Sequence, residues 1–237
     1  MLKKIHHHLL TYKLYNFFWN MLLTFDFRRN PSDLTPLQIK KLLTFKPNVI
    51  LEAGSHNGLD TLRLSINFRK STVYAFEPDE VNFEKLQKNT HRYVNILPFN
   101  YALGEENKKD VSFYKANNAG LSSSLLREKN HSIEYPSIKF EESKIDMINP
   151  DSFFRKNNLK MPDFAWLDLQ GYEIILLKSS PILLDSLKAV YIELTDNLYD
   201  SGISIEEQIN FLITSGFSLE WRGELIKGNT NALFCRK

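Results

Sequence analysis

The stretch Trp166–Ile174, WLDLQGYEI, places two carboxylates, an amide and a glycine between two apolar segments. An ionised carboxylate inside a protein is costly unless it is paired or used. At the end of a buried strand, Asp168 could orient a hydroxyl and accept its proton during nucleophilic attack. Glu193, at the end of the next predicted strand, is a second candidate for this catalytic role. The alternative for Asp168 is that it caps the following helix. The alternative for Glu173 is that its charge only interacts favourably with the dipole of that helix and has no catalytic role. We favour the catalytic reading of Asp168, because ligands bind at the carboxyl ends of parallel strands.

Polar residues also follow two earlier predicted strands. The first strand leads into AGSHNG, where Gly54 and Gly58 allow the backbone to approach a ligand closely. Glu77 follows the second strand, 19 positions after Gly58. In nucleotide-binding βαβ units an acid meets the ribose hydroxyls at a spacing of about 20. The alternative for Glu77 is a solvated acid before a proline. A G-x-G-x-x-G pattern is absent, so a nucleoside cofactor with an amino-acid tail fits better than a dinucleotide.

From residue 47 onward, short apolar runs alternate with segments of helical spacing, which predicts a parallel sheet covered on both faces. The predicted strands are 48–52, 72–76, 94–99, 164–169 and 189–194, with antiparallel pieces at 111–115 and 138–145 and a closing hairpin at 217–221 and 232–236. The predicted helices are 59–67, 80–89, 150–157, 173–179 and 205–215, preceded by one that Thr35 caps and Pro36 opens. We therefore predict an α/β fold with a doubly wound, mostly parallel sheet in residues 47–237 and a helical extension in residues 1–46.

The composition narrows the class of protein. The chain has 237 residues, of which 43% are hydrophobic, and this suffices for one domain with a large core. Its 30 Lys and Arg residues nearly balance its 28 Asp and Glu residues, so a nucleic-acid partner bound through a broad basic surface is not expected. The lone cysteine, Cys235, forms no internal disulfide, which fits a reducing compartment, and we expect a cytoplasmic location.

The first 25 residues are rich in leucine and aromatic side chains, but polar residues interrupt them before they reach the length of a membrane span. We favour an amphipathic helix packed on the domain. The alternative is an interfacial helix that contacts a membrane or a partner. His6, His7 and His8 point in different directions on a helix and are interpreted as surface residues.

Five segments, taken in order, resemble the FkbM family of S-adenosylmethionine-dependent methyltransferases. They are EAGSHNGLDT, AFEPDEVNFEKLQKN, YALGEE, NNAGLSSSL and WLDLQGYEIILLKSS, and they cover about residues 48–195. The resemblance implies a class I methyltransferase sheet whose last strand is antiparallel. The family usually has aspartate where Glu52 stands and often has glutamate where Gln170 stands, so these two positions depart from its pattern.

The resemblance also implies roles for single residues. Glu52 and the turn Gly54, Ser55, His56 and Gly58 would hold the amino-acid end of S-adenosylmethionine. Glu77, followed by Pro78, would accept hydrogen bonds from both ribose hydroxyls. Asn100 and Ala102 would lie near the adenine.

The resulting hypothesis is an O-methyltransferase that acts on a hydroxyl of a sugar, of a glycolipid or polysaccharide unit, or of a small natural product. The alternative is an inactive, methyltransferase-like scaffold that docks through its N-terminal helix. His56 and His131 are alternative bases to Asp168. Asp168 and Glu193 could also pair around a divalent metal ion, and the sequence leaves that question open. The polar segment 117–125 either closes over the acceptor or forms a surface loop.

Overall fold

The computed structural model of the protein describes residues 33–237. The predictions for the aromatic N-terminal segment fall almost entirely within residues 1–32 and lie outside the described residues. In chain order, the helices are α1 (Pro36–Leu42), α2 (Leu59–Asn67), α3 (Glu80–Thr90), α4 (His131–Glu134), α5 (Pro150–Lys156), α6 (Glu173–Ser179), α7 (Pro181–Ser186) and α8 (Ile205–Thr214). The strands are β1 (Val49–Ala53), β2 (Thr72–Phe76), β3 (Ile96–Phe99), β4 (Ala102–Leu103), β5 (Lys108–Ala116), β6 (Phe140–Ile148), β7 (Phe164–Leu167), β8 (Ala189–Thr195), β9 (Phe217–Arg222) and β10 (Asn229–Arg236).

Seven of these strands form one sheet in the order β3-β2-β1-β7-β8-β10-β9. The pairs from β3 through to β8 are parallel, whereas β10 is antiparallel to both of its neighbours. From β1 the sheet extends to β2 and β3 on one side and to β7 and β8 on the other, so the strand order switches at β1. The predicted doubly wound sheet, its antiparallel last strand and its closing hairpin are therefore confirmed.

The sheet is buried on both faces, as expected for parallel strands covered by helices. In β1, Leu51 contributes to one core cluster and its neighbour Ile50 contributes to the cluster on the other face. Leu167 joins the first cluster and Phe164 the second. This packing fixes β1 and β7 side by side, so that the residues following them leave the same edge of the sheet.

A second sheet, in the order β4-β6-β5, stands beside the main one. The antiparallel pairing of β5 with β6 confirms the two predicted antiparallel pieces. The connection between them contains the polar segment 117–125, and Ser124 returns to pair with Tyr114 of β5. The small sheet thereby holds this segment over the carboxyl ends of β1 and β7, where it lines the cleft described below.

Helix α1 begins as the sequence predicts. The Thr35 hydroxyl accepts from the backbone N–H of Gln38, and the Gln38 side chain accepts in turn from the N–H of Thr35. Just before it, the backbone N–H of Leu34 donates to the hydroxyl of Tyr191 on β8 at 2.8 Å. Within residues 33–237, no helix combines the length and apolar character needed to cross a membrane.

Candidate active site

A cleft opens at the carboxyl ends of β1, β2 and β7, and Glu77 and Asp168 both line it. Its floor and walls also include Gly54, His56, Pro78 and Ala102, which were predicted as cofactor-binding residues, together with Phe76, Tyr101, Leu169, Gln170 and Tyr172. Gly120, Leu121 and Ser123–Leu125 of the polar segment form the remaining wall. The strand-end residues of separate strands therefore converge on one cavity, as parallel sheets require.

Gly54 ends β1 at a point where no side chain fits. Its φ is +85°, and a Cβ atom there would lie 2.0 Å from the carbonyl oxygen of Asp168. The backbone N–H of Asp168 donates to the carbonyl of Ala53, which holds the ends of β1 and β7 together. Gly58 has a structural role instead, because it caps α2 with φ +82° and packs against Leu86 of α3. It does not line the cleft.

Glu77 joins the loops that follow β1 and β2. Its Oε2 accepts from the backbone N–H of His56 at 2.7 Å, and its Oε1 accepts from the backbone N–H of Asp79 at 2.9 Å. Burial raises the pKa of Glu77 to about 7, and the two backbone hydrogen bonds oppose that rise. Each carboxylate oxygen has a second lone pair, so the group retains acceptors for two further hydroxyl donors from the cleft.

His56 connects the turn after β1 with the polar segment above it. Its Nε2 lies 2.9 Å from the carbonyl oxygen of Ala119, which also accepts from the side-chain amide of Asn82 at 3.0 Å. The other alternative base, His131, is buried against Tyr135, Phe140 and Tyr199 and does not line the cleft.

Two predicted cofactor-binding residues support the cleft from behind its surface. Glu52 is buried beneath the turn, its Oε2 has no hydrogen-bond partner among residues 33–237, and burial raises its pKa to about 8. Asn100 donates through its amide to the backbone carbonyls of Glu77 and Pro78, at 2.9 and 3.1 Å. Asn100 therefore fixes the backbone that presents Glu77, and neither Asn100, Ser55 nor Glu52 lines the cleft.

Asp168 and Glu193 are joined by an amide that the sequence prediction did not assign to the site. The Gln170 Nε2 atom donates to Asp168 Oδ1 at 2.7 Å and to Glu193 Oε2 at 2.6 Å. Asp168 is solvent-accessible in the cleft, but desolvation by the surrounding protein atoms raises its pKa. The pKa of Glu193 is raised well above its ordinary value, by burial and then by the charge of Asp168. Glu193 does not itself line the cleft and reaches it through Gln170.

Glu173 lies within this acidic group but serves the loop before α6. Its Oε1 accepts from the backbone N–H of Leu169 at 2.6 Å, while its buried Oε2 has no hydrogen-bond partner in the described part of the chain. Burial raises the pKa of Glu173 to about 8. Carboxylate oxygens of Asp168, Glu173 and Glu193 come within 4.8 Å of one another, a separation that a divalent cation could bridge.

The mostly parallel sheet, the glycine turn after β1 and the acid after β2 are typical of Rossmann-like domains that bind a nucleoside cofactor. The chain belongs to the FkbM methyltransferase family, because the model of the methyltransferase FkbM domain matches residues 52–219. The protein is accordingly an S-adenosylmethionine-dependent methyltransferase. The glycine turn that admits no Cβ and the free lone pairs of Glu77 suit such a cofactor.

Relatives agree with this assignment. The 2-O-methyltransferase NoeI of Sinorhizobium fredii is 25% identical over 205 residues, which cover 81% of this chain and 84% of the relative. The hexuronic acid methyltransferase AglP of Haloferax volcanii is 24% identical over 148 residues, which cover 62% of this chain and 56% of that protein. Among solved structures, the Methanococcus jannaschii fibrillarin pre-rRNA processing protein matches with a TM-score of 0.51 at 16% identity, over 87% of this chain and 76% of that one, and shows the shared fold.

Proposed function

We propose that the protein transfers a methyl group from S-adenosylmethionine to a hydroxyl group of a sugar or sugar-containing acceptor. The observation that carries the proposal is that Glu77 and Asp168 line one cleft, so a nucleoside held at the first can reach an acceptor at the second. NoeI and AglP, whose names describe a 2-O-methyltransferase and a hexuronic acid methyltransferase, support a hydroxyl of a sugar as the acceptor.

In this proposal the cofactor is held by residues of the β1 and β2 ends. Glu77 accepts the ribose hydroxyls, the Gly54 turn lets the backbone approach the amino-acid tail, and the wall at Tyr101 and Ala102 covers the base. When bound, S-adenosylmethionine supplies an electrophilic methyl group on a positively charged sulfur.

Asp168 acts on the acceptor. Its carboxylate accepts a hydrogen bond from the acceptor hydroxyl and aligns the oxygen with the methyl group. As the oxygen–carbon bond forms and the carbon–sulfur bond breaks, the electron pair stays on sulfur and the hydroxyl proton passes to Asp168. Glu193 and Gln170 keep this carboxylate in place. In this proposal the segment 120–125, which lines the same cleft, shields the acceptor and the donor from bulk water.

The test combines cofactor binding with an acceptor screen. Calorimetry with S-adenosylhomocysteine should show binding, and labelled methyl donor should mark at least one member of a panel of neutral glycosides, uronic acids and simple alcohols. Asp168→Asn should keep its affinity for S-adenosylhomocysteine and lose turnover. Unchanged turnover would make Asp168 a structural residue. Binding of S-adenosylhomocysteine without methylation of any acceptor would favour the scaffold alternative.

A further inference from the structure

The Gln170 amide occupies the centre of the acidic group that faces the acceptor side of the cleft. An amide NH₂ group has two protons, and here each is given to a different carboxylate, Asp168 at 2.7 Å and Glu193 at 2.6 Å. Within residues 33–237, no lysine, arginine or histidine forms an ion pair with either carboxylate. Among the described residues, the Gln170 amide is therefore the polar group that donates to both acids.

Neighbouring groups hold this amide in one orientation. The Tyr199 hydroxyl, itself buried, donates to Gln170 Oε1 at 2.6 Å. The Gln170 backbone has φ +55°, an uncommon left-handed conformation for glutamine, and it is fixed by Ser124, whose hydroxyl donates to the Gln170 carbonyl at 2.9 Å. Strained backbone persists only where its surroundings determine it, and such positions cluster at functional sites.

The opposite orientation of the Gln170 amide would place its oxygen against the oxygens of both carboxylates. Turning Gln170 by half a rotation would bring its oxygen within 2.6–2.7 Å of both carboxylate oxygens, without a proton between them. Three oxygens at that separation need a cation or a proton held by one of the carboxyl groups, and hard divalent ions prefer such ligands. Tyr199 could then donate to the carbonyl of Ser122, which lies 2.9 Å away. The orientation of this one amide thus decides whether the acidic group is joined by a hydrogen-bond donor or by a metal ion.

We propose that Gln170 is a positioning residue whose amide takes the place of a divalent cation, holding Asp168 and Glu193 together so that Asp168 meets the acceptor hydroxyl. The proposal rests on the proposed function for the role of Asp168, but the arrangement of the three side chains stands independently of it. A glutamate at this position supplies no N–H and adds a carboxylate. Gln170→Glu should therefore turn the group into a cation site.

The experiment measures the binding of Mn²⁺ to the protein without cofactor or acceptor. Binding is followed by the decrease of the free-ion signal in electron paramagnetic resonance. We expect Gln170→Glu to bind one Mn²⁺ at least about tenfold more tightly than the wild-type protein, equivalent to about 1.4 kcal/mol. Gln87→Glu makes the same charge change on the exposed face of α3 and should behave as the wild type. A smaller difference in Mn²⁺ affinity between Gln170→Glu and the wild type would overturn the proposal. So would Mn²⁺ binding by the wild-type protein that is lost in Glu193→Gln.

A second variant covers the case in which Gln170→Glu does not fold, as judged by its melting temperature. Tyr199→Phe removes the hydroxyl that fixes the amide, so the amide can turn its oxygen toward the carboxylates, and Mn²⁺ uptake should rise about tenfold as well. No rise in a folded Tyr199→Phe protein would then count against the proposal.

Methyl transfer supplies the functional arm. Gln170→Met keeps the length of the side chain and loses both N–H donors, so kcat should fall at least about tenfold while the affinity for S-adenosylhomocysteine stays within about twofold. An unchanged kcat would refute the positioning role. If the protein bound no S-adenosylhomocysteine, the proposed function would fail, and the Mn²⁺ arm would still decide whether the amide excludes a cation.

Discussion

Gly54 packs directly against the backbone carbonyl of Asp168, so the glycine turn after β1 and the candidate base share one contact. A Cβ atom on Gly54 would lie 2.0 Å from that oxygen. The contact explains why the turn after β1 must carry a glycine where it meets the end of β7, and why Asp168 lies beside that turn. It also makes the two halves of the site mechanically dependent on each other.

Gly54→Ala should therefore be severely destabilising. The added methyl group meets a backbone atom that cannot rotate away, and φ +85° is unfavourable for alanine, so we expect a loss of about 3 kcal/mol or more in the free energy of unfolding. Urea denaturation measures this. Gly202→Ala is the matched control, because Gly202 also has positive φ but nothing within 4 Å, and it should cost about 1 kcal/mol. Equal effects would mean that the contact with Asp168 is not tight.

Glu77 should make cofactor binding depend on pH. Burial raises the pKa of Glu77 to about 7 in the free protein, and ribose hydroxyls bind best to the ionised carboxylate. Affinity for S-adenosylhomocysteine should rise as pH increases through about 7 and level off above it, and it should fall up to about tenfold for each pH unit below. Calorimetry between pH 5.5 and 8.5 follows this change (a range of about three units).

Substitution of Glu77 tests the same assignment. Glu77→Gln should lower the affinity at pH 8 by at least about tenfold and remove most of its pH dependence. Glu80→Gln changes an exposed carboxylate three residues away and should leave both unaltered. A Glu77→Gln protein that keeps wild-type affinity at pH 8 would contradict the ribose role.

Glu52 should make the fold less stable as the pH rises toward 8. Burial raises its pKa from 4.5 to about 8, so between these values the native protein holds a proton that the unfolded chain releases. The free energy of unfolding then falls as pH rises through this window, by roughly 5 kcal/mol in total for this group. Glu52→Gln cannot ionise, so its stability should change less between pH 5 and 8 (about three units) than that of the wild type.

The measurement is urea denaturation of both proteins at each pH. Glu84→Gln, which replaces an exposed carboxylate on α3, should show the wild-type pH dependence. Parallel curves for Glu52→Gln and the wild type would show that Glu52 titrates normally.

The sequence predicts most of this fold because its periodicities are local. Helix α2 and helix α6 begin and end where the pattern places them, and the acids at the ends of β2 and β7 converge because parallel strands share an edge. The sequence pattern does not predict the shortest elements. Two-residue β4 and the six-residue α7 are too short to show a period, and their conformation depends on tertiary contacts.

The site is less predictable than the fold, since its side-chain contacts are long-range. Nothing in the spacing of Tyr199, in an irregular segment after β8, indicates that its hydroxyl reaches Gln170. Similarly, the pattern of β1 does not distinguish a Glu52 that faces the cleft from one that is buried beneath it. Polar residues at strand ends identify the region, whereas only packing decides which of them meet the ligand.

His56 should control the mobility of the segment that covers the cleft. Its ring and the Asn82 amide both hold the carbonyl of Ala119, so His56→Ala removes one of the two contacts at that carbonyl. The contacts of Ser124 with Tyr114 and Gln170 remain. Backbone amides of the covering segment, including Ser123, whose N–H donates to Gly120, should exchange with deuterium at least about threefold faster, because loss of one hydrogen bond costs about 1 kcal/mol. His91→Ala removes another histidine bonded to a backbone carbonyl, that of Lys88, at an exposed site, and should leave this exchange unchanged. If His56→Ala leaves the exchange of Ser123 as it is, then Asn82 and the contacts of Ser124 hold the segment, and its position over the cleft does not depend on the turn that follows β1.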